Sequence, residues 1–161
     1  MSLQKTVTVT QAVFDTIPGR GVSKDPEYYK SQVIAMIAQL GASEYGVSKG
    51  DIIFSLSIAV ADGSKRDVYF RIRPVLIQVR KKKGSSYVND PRPDTSWYLL
   101  WKLLETKIAA IKVGIVEVQH EMMQYIQITD HRGEPVVFSE VMDMLIQNER
   151  LNNIAALEAP R

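Results

Sequence analysis

Between Lys65 and Lys83 the sequence gathers Lys65, Arg66, Arg71, Arg73, Arg80, Lys81, Lys82 and Lys83 against one acid, Asp67. The segment carries +7 in a chain whose net charge is +2, so the remainder stands at −5. A local cationic patch on a near-neutral chain suits a polyanion better than a diffuse excess does. Binding to a phosphate backbone needs several cations acting together, and single-strand binding adds flat side chains on which bases stack. Tyr69, Arg71, Arg73, Arg80, Lys81, Lys82, Lys83, Tyr87 and Arg92 supply both kinds of group. The competing reading is structural. Edge strands carry Lys and Arg to block edge-to-edge pairing, and arginines can meet acids of the C-terminal half, within the domain or in a second copy.

Other chemistries find less support. Pro93-Asp94 followed by Glu105-x-Lys107 imitates a nuclease pattern, in which an Asp, an acid and a Lys converge on a metal ion and a water. Residues two apart converge on a strand but stand about 200° apart on a helix, and Glu105 and Lys107 lie in the strongest helical pattern of the chain. Glu117, His120 and Glu121 have helical metal-ligand spacing, but the only other histidine, His131, falls in an expected turn. With no Cys, thiolate metal sites, disulfides and thiol nucleophiles are excluded. No Gly-x-Ser-x-Gly elbow, P-loop or dinucleotide fingerprint is present. No cofactor or metal is expected.

A length of 161 residues and an apolar content of 45% suit one domain with a real core. The N-terminus "MSLQKTVTVT" has no apolar signal region, and no apolar run approaches membrane-spanning length. A cytoplasmic protein without a membrane partner is the expectation.

The elements that must position the basic residues follow from periodicity. Val7 and Val9 alternate with threonines and predict a strand with one buried face. Asp25 as cap, Pro26 at the first position and Gly41 as stop bound a helix with Tyr29, Val33, Ile37 and Leu40 on one face. Phe54, Leu56, Ile58 and Val60 alternate with Ser55, Ser57, Ala59 and Ala61 in the clearest strand. The next strand buries Val68, Phe70 and Ile72 and displays Tyr69, Arg71 and Arg73.

Directly paired residues share a face, so an even loop at Asp62-Gly63 would mix faces. A loop of three or five residues keeps them apart. The three-residue choice pairs Leu56 with Phe70, Ile58 with Val68, Ser57 with Tyr69, Ser55 with Arg71 and Ile53 with Arg73.

Pro74 and the change of phase to Val75, Ile77 and Val79 predict a bulge or bend on an edge strand. Lys81 to Ser96 reads as a long basic loop of the kind that closes over a ligand. Trp97, Leu100, Trp101, Leu104, Ile108, Ile111 and Ile115 mark an amphipathic helix. Core packing is the favoured role for Trp97 and Trp101, with Tyr98 less committed. A final hairpin turning near His131 to Glu134, a helix from Ser139 to Leu151 and a frayed tail complete the reading.

Leu103 to Val136 resembles a recurrent family of small uncharacterised proteins of bacterial chromosomes, mobile elements and phages. The likeness rests on the Lys- and Ala-containing helix leading to Gly114-Ile115 (Lys107 to Ile115), on Glu121 to Tyr125, and on the hairpin from Ile128 to Val136. "DHRG" replaces the family's simple Asp-Gly turn, and Met122 and Met123 stand where aromatic residues are usual. A weaker similarity covers "IAQLGASEYGV". The resemblance spans about two-thirds of the chain. It implies a single α+β domain and a mobile-element setting, and it transfers no activity and no site residue.

The expectation is a single α+β domain over residues 1–151 with a flexible tail over 152–161. An antiparallel sheet packs on two main helices, with a C-terminal hairpin and short helix. The expected role is a non-catalytic nucleic-acid-binding protein favouring single-stranded DNA or RNA, with the basic and aromatic sheet face and the adjacent basic loop as contacts. The alternative is a protein-interaction or homo-oligomeric assembly module of a phage or mobile element.

Overall fold

The chain is described by a computed structural model covering residues 5–42, 44–48, 50–59, 62–129, 135–139 and 142. Val60, the turn at His131 to Glu134, most of the expected last helix and the tail lie outside the described residues.

Helix α2 (Pro26–Ala38) forms where its punctuation predicts. The Asp25 side chain accepts from the Tyr28 N–H, Pro26 occupies the first turn, and Gly41 beyond the end has φ +83°. Tyr29, Val33 and Ile37 are buried from this helix. Helix α1 (Gln11–Phe14) is a single turn capped by Thr10, with Phe14 buried.

Strands β2 (Glu44–Ser48), β3 (Asp51–Ala59) and β4 (Lys65–Ile72) make an antiparallel sheet in the order β2-β3-β4. Its Ile52, Phe54, Leu56, Ile58, Phe70 and Ile72 enter one core with residues of α2 and of helix α3 (Pro93–Lys112). Phe54 and Phe70 are directly paired, and their rings stack at 5.0 Å. The faces are therefore those expected. The loop has five residues between Ala59 and Lys65, and the ladder pairs Leu56 with Val68, Ser55 with Tyr69 and Ile53 with Arg71. Relative to the three-residue loop this is a slip of two positions, which leaves every residue on its predicted face.

The remaining strands depart from a single antiparallel sheet. Beyond Ile72 the chain leaves the first sheet at Arg73 to Val75 and enters a second, ordered β1-β5-β6, from β1 (Thr6–Thr10), β5 (Leu76–Lys83) and β6 (Ser86–Pro91). Pro74 therefore marks a crossing between sheets rather than a bend in one edge strand. β1 runs parallel to β5, a long-range pairing that local alternation does not encode. Val7 keeps 41% of its exposure.

The expected long loop is also corrected. Lys81–Lys83 continue β5, Gly84 and Ser85 form the turn, and β6 returns antiparallel with Lys83 opposite Ser86 and Lys82 opposite Tyr87. Gly84 has φ +63°, the left-handed conformation that a tight hairpin turn requires. Helix α3 then starts at Pro93.

Trp97, Leu100, Leu104 and Ile108 bury the inner face of α3. Trp101 is half-buried in an aromatic group with Tyr29 and Tyr98. The helix stops at Lys112, Gly114 takes φ +74°, and Ile115 is 75% exposed instead of continuing the apolar face. A short helix α4 (Val118–Glu121) and a 3-10 turn (Met123–Tyr125) lead to the hairpin β7 (Gln127–Thr129) and β8 (Pro135–Val137). A bridge from Ile126 to Phe70 sets this hairpin beside β4. The result is an α+β fold. No helix of the described residues is long and apolar enough to cross a membrane.

Candidate functional site

The basic residues divide between two sheets. On β4, Tyr69 is 47% exposed and stands opposite Ser55, which is buried. The rest of that face is not an open platform. Asp51 is buried on it, and its carboxylate takes Arg73 in a two-pronged pair, Nε to Oδ1 at 2.6 Å and Nη2 to Oδ2 at 2.5 Å. Arg71 Nε lies 3.8 Å from the same Oδ2. The side chains of Arg71 and Arg73 keep only 19% and 23% of their exposure. The proposed phosphate contacts at Arg71 and Arg73 are thus held against an internal acid. The expected acids were in the C-terminal half; the partner is at the start of β3.

The β5–β6 hairpin is different. β1 pairs with β5 only as far as Thr10 opposite Arg80. Beyond that point no third strand among the described residues joins the ribbon, and Arg80 through Asn89 are all exposed. Its base is fixed. The Ile77 N–H donates to Ser96 Oγ at 2.9 Å, Ser96 Oγ donates to the Arg92 carbonyl at 2.8 Å, and the Arg92 N–H donates to the Ile77 carbonyl at 2.8 Å. These bonds join the root of the arm to the first turn of α3.

Cross-strand pairing sorts the arm's side chains onto two faces. Arg80, Lys82 and Tyr87 share one, with Arg80 stacked over the Tyr87 ring at 4.5 Å. Lys81, Lys83 and Val88 share the other, where Lys81 pairs with Asp90 at 2.6 Å. Lys82 and Lys83 have no ion-pair partner among the described residues.

Arg92 sits at the arm's foot. It pairs with Asp94 at 3.1 Å and covers the Phe14 ring at 4.8 Å. The Asp94 hydrogen bond raises the Arg92 guanidinium above its ordinary value. Burial opposes the charge of Asp94, but the hydrogen bonds from Arg92 and the Thr95 backbone N–H outweigh it and hold the carboxyl below its usual range.

Of the residues the sequence marks, Arg80, Lys81, Lys82, Lys83 and Tyr87 are therefore brought together on one projecting element. Tyr69 lies on the other sheet, Arg71 and Arg73 are tied to Asp51, and Arg92 is tied to Asp94. Asp51 is the residue that sequence reasoning missed. It opens β3 ahead of the apolar alternation, where the sequence pattern carries no signal for it.

The nuclease-like residues do not converge. Asp94 faces Arg92, Glu105 pairs with Lys102 at 2.8 Å, and Lys107 pairs with Glu121 at 2.6 Å. His120 Nδ1 lies 3.7 Å from Glu117 Oε2. Among the described residues no three of His, Cys, Asp and Glu gather as metal ligands. No protein-family model, curated protein or solved structure matches this chain.

Proposed function

We propose that this chain is a non-catalytic nucleic-acid-binding protein whose contact element is the β5–β6 arm. The observation that carries this reading is the arm itself: an exposed two-stranded ribbon, anchored at its root, with Arg80, Lys81, Lys82 and Lys83 along its outer half. Two of these lysines spend their charge on no acid among the described residues.

The arrangement favours duplex over the single strand that the sequence suggested. A stacking platform needs several open rings on one face beside a line of cations. Here Tyr69 and Tyr87 belong to separate sheets, and one face of the Tyr87 ring is already covered by Arg80. By contrast, a two-stranded ribbon fits the major groove of B-form DNA. Phosphates line both walls of that groove, and the arm carries cations on both of its faces.

Fluorescence anisotropy with a labelled DNA duplex, its separated strand and an RNA strand, across a salt series, tests the reading. The expected result is binding that weakens steeply with salt and is tighter for duplex. Absence of binding to all three at low salt rules the proposal out. Tighter binding to the single strand would keep the arm as contact but reject the groove.

A further inference from the structure

A cavity of about 900 Å³ opens between β1, β5, the outer face of α3 and the segment around Tyr125. Its walls are largely aliphatic, including Val7, Val9, Ile77, Leu99 and Leu103. Val7 and Leu103 keep 41% and 49% of their exposure, so large apolar side chains stand open on this hollow. The volume falls in the range of small-molecule sites.

The cavity is also cationic. Arg71, Arg73 and Lys5 line it. Asp51 gives both its oxygens to Arg73. Arg71 is left with a buried Nε that makes no hydrogen bond among the described residues, 3.8 Å from Asp51 Oδ2. A mostly buried guanidinium in this condition is costly, and an additional anion would offset the cost. With Nε buried, the end of Arg71 that can meet an occupant is its pair of Nη groups. Such a fork matches a carboxylate in geometry as well as charge.

We propose that this cavity binds an amphipathic carboxylate. Its head group sits on Arg71 with Lys5 beside it, and its apolar body lies along Val9, Ile77 and Leu103. The site lies at the root of the β5–β6 arm, away from its basic outer half, and does not rest on the nucleic-acid reading.

The test is displacement of the fluorescent sulfonate ANS from the full chain by decanoate and by decanol, both below the concentrations at which they aggregate. The expected result is one ANS per chain, displaced by decanoate about tenfold or more tighter than by decanol, the difference one charge-assisted hydrogen bond supplies. Arg71→Gln should erase that preference while leaving decanol unchanged. Equal displacement by the two compounds, or no binding of ANS and decanoate, overturns the proposal. So does a preference that survives in folded Arg71→Gln. If Arg71→Gln fails to fold, the comparison of acid with alcohol on the unaltered protein still decides. A dimer dissolved by Leu103→Glu, in a protein that takes up neither ANS nor decanoate, would give the hollow to a second copy instead.

Discussion

Asp51 and Arg73 close the β3–β4 ladder with a charged pair. The last paired positions are Ile52 and Ile72, and one step further the two side chains meet through Nε–Oδ1 at 2.6 Å and Nη2–Oδ2 at 2.5 Å. The Asp51 side chain is 4% exposed. The pair lies where the chain leaves one sheet for the other, and Arg71 leans on the same carboxylate. It fixes the exit of β4 before Pro74, and it removes two of the strongest cations from the candidate interface.

Replacing Asp51 by Asn should destabilise the fold by about 3 kcal/mol, because both arginines lose their counter-charge in a largely buried position. Adding Arg73→Leu to that variant should recover part of the loss, since a guanidinium that has lost the Asp51 carboxylate is then exchanged for apolar packing. Urea denaturation of the two variants checks this. A shift in Asp51→Asn equivalent to less than about 0.5 kcal/mol would class the pair with ordinary surface ion pairs.

The same pair explains how far the sequence could be read. Helix α2 was legible because its signals, Asp25, Pro26 and Gly41, act locally. The faces of β3 and β4 were legible because a buried face writes period two into the chain. Their register was not, since a slip of two positions preserves that pattern. What distinguishes the two registers is the meeting of Asp51 with Arg73, and Asp51 carries no apolar period. The β5–β6 arm was illegible for a related reason. From Lys81 to Asn89 neither face is buried, so no alternation marks the strands, and only Gly84-Ser85 hints at the turn. The parallel pairing of β1 with β5 joins segments far apart in the chain, beyond the reach of local pattern. The basic cluster was therefore legible in composition, and its division between two sheets was not.

Asp94 sets a pH dependence. Its carboxyl is held below the ordinary value in the folded chain, so between that depressed value and about 3.9 the folded form binds fewer protons than the unfolded form. The Arg92–Asp94 pair therefore contributes fully above about pH 4, and its contribution is lost as pH falls through the folded value. Denaturation midpoints measured from pH 6 down to pH 2.5 should fall more steeply for the natural chain than for Asp94→Asn. Parallel curves would show that this pair does not couple folding to protons.

Gly19 tests the packing around Tyr98. It has φ +85°, and a Cβ at this position would collide with the Tyr98 ring. Gly19→Ala should cost about 3 kcal/mol, from the left-handed backbone and the displaced ring together. Gly41 has nearly the same φ, +83°, with no described residue within 4 Å of where a Cβ would stand. Gly41→Ala should cost about 1 kcal/mol, the backbone part alone. Equal thermal shifts in the two variants would mean that the Tyr98 contact carries no weight.

The arm makes a prediction that separates it from the rest of the positive surface. Counterion release sets the salt dependence of binding, and each phosphate contact to duplex contributes a slope of about −0.9 in log K against log salt. Lys82 and Lys83 stand on opposite faces of the ribbon, so each should meet a different wall of the groove. Lys82→Gln and Lys83→Gln should each reduce the magnitude of the slope by about 0.9, and the double variant by about 1.8. Arg73→Lys conserves charge but exchanges a two-pronged pair for a single contact. It should lower stability and leave the slope unchanged. Anisotropy titrations of all four variants at several salt concentrations make the comparison. A slope insensitive to both Lys82 and Lys83 would take the interface off the arm.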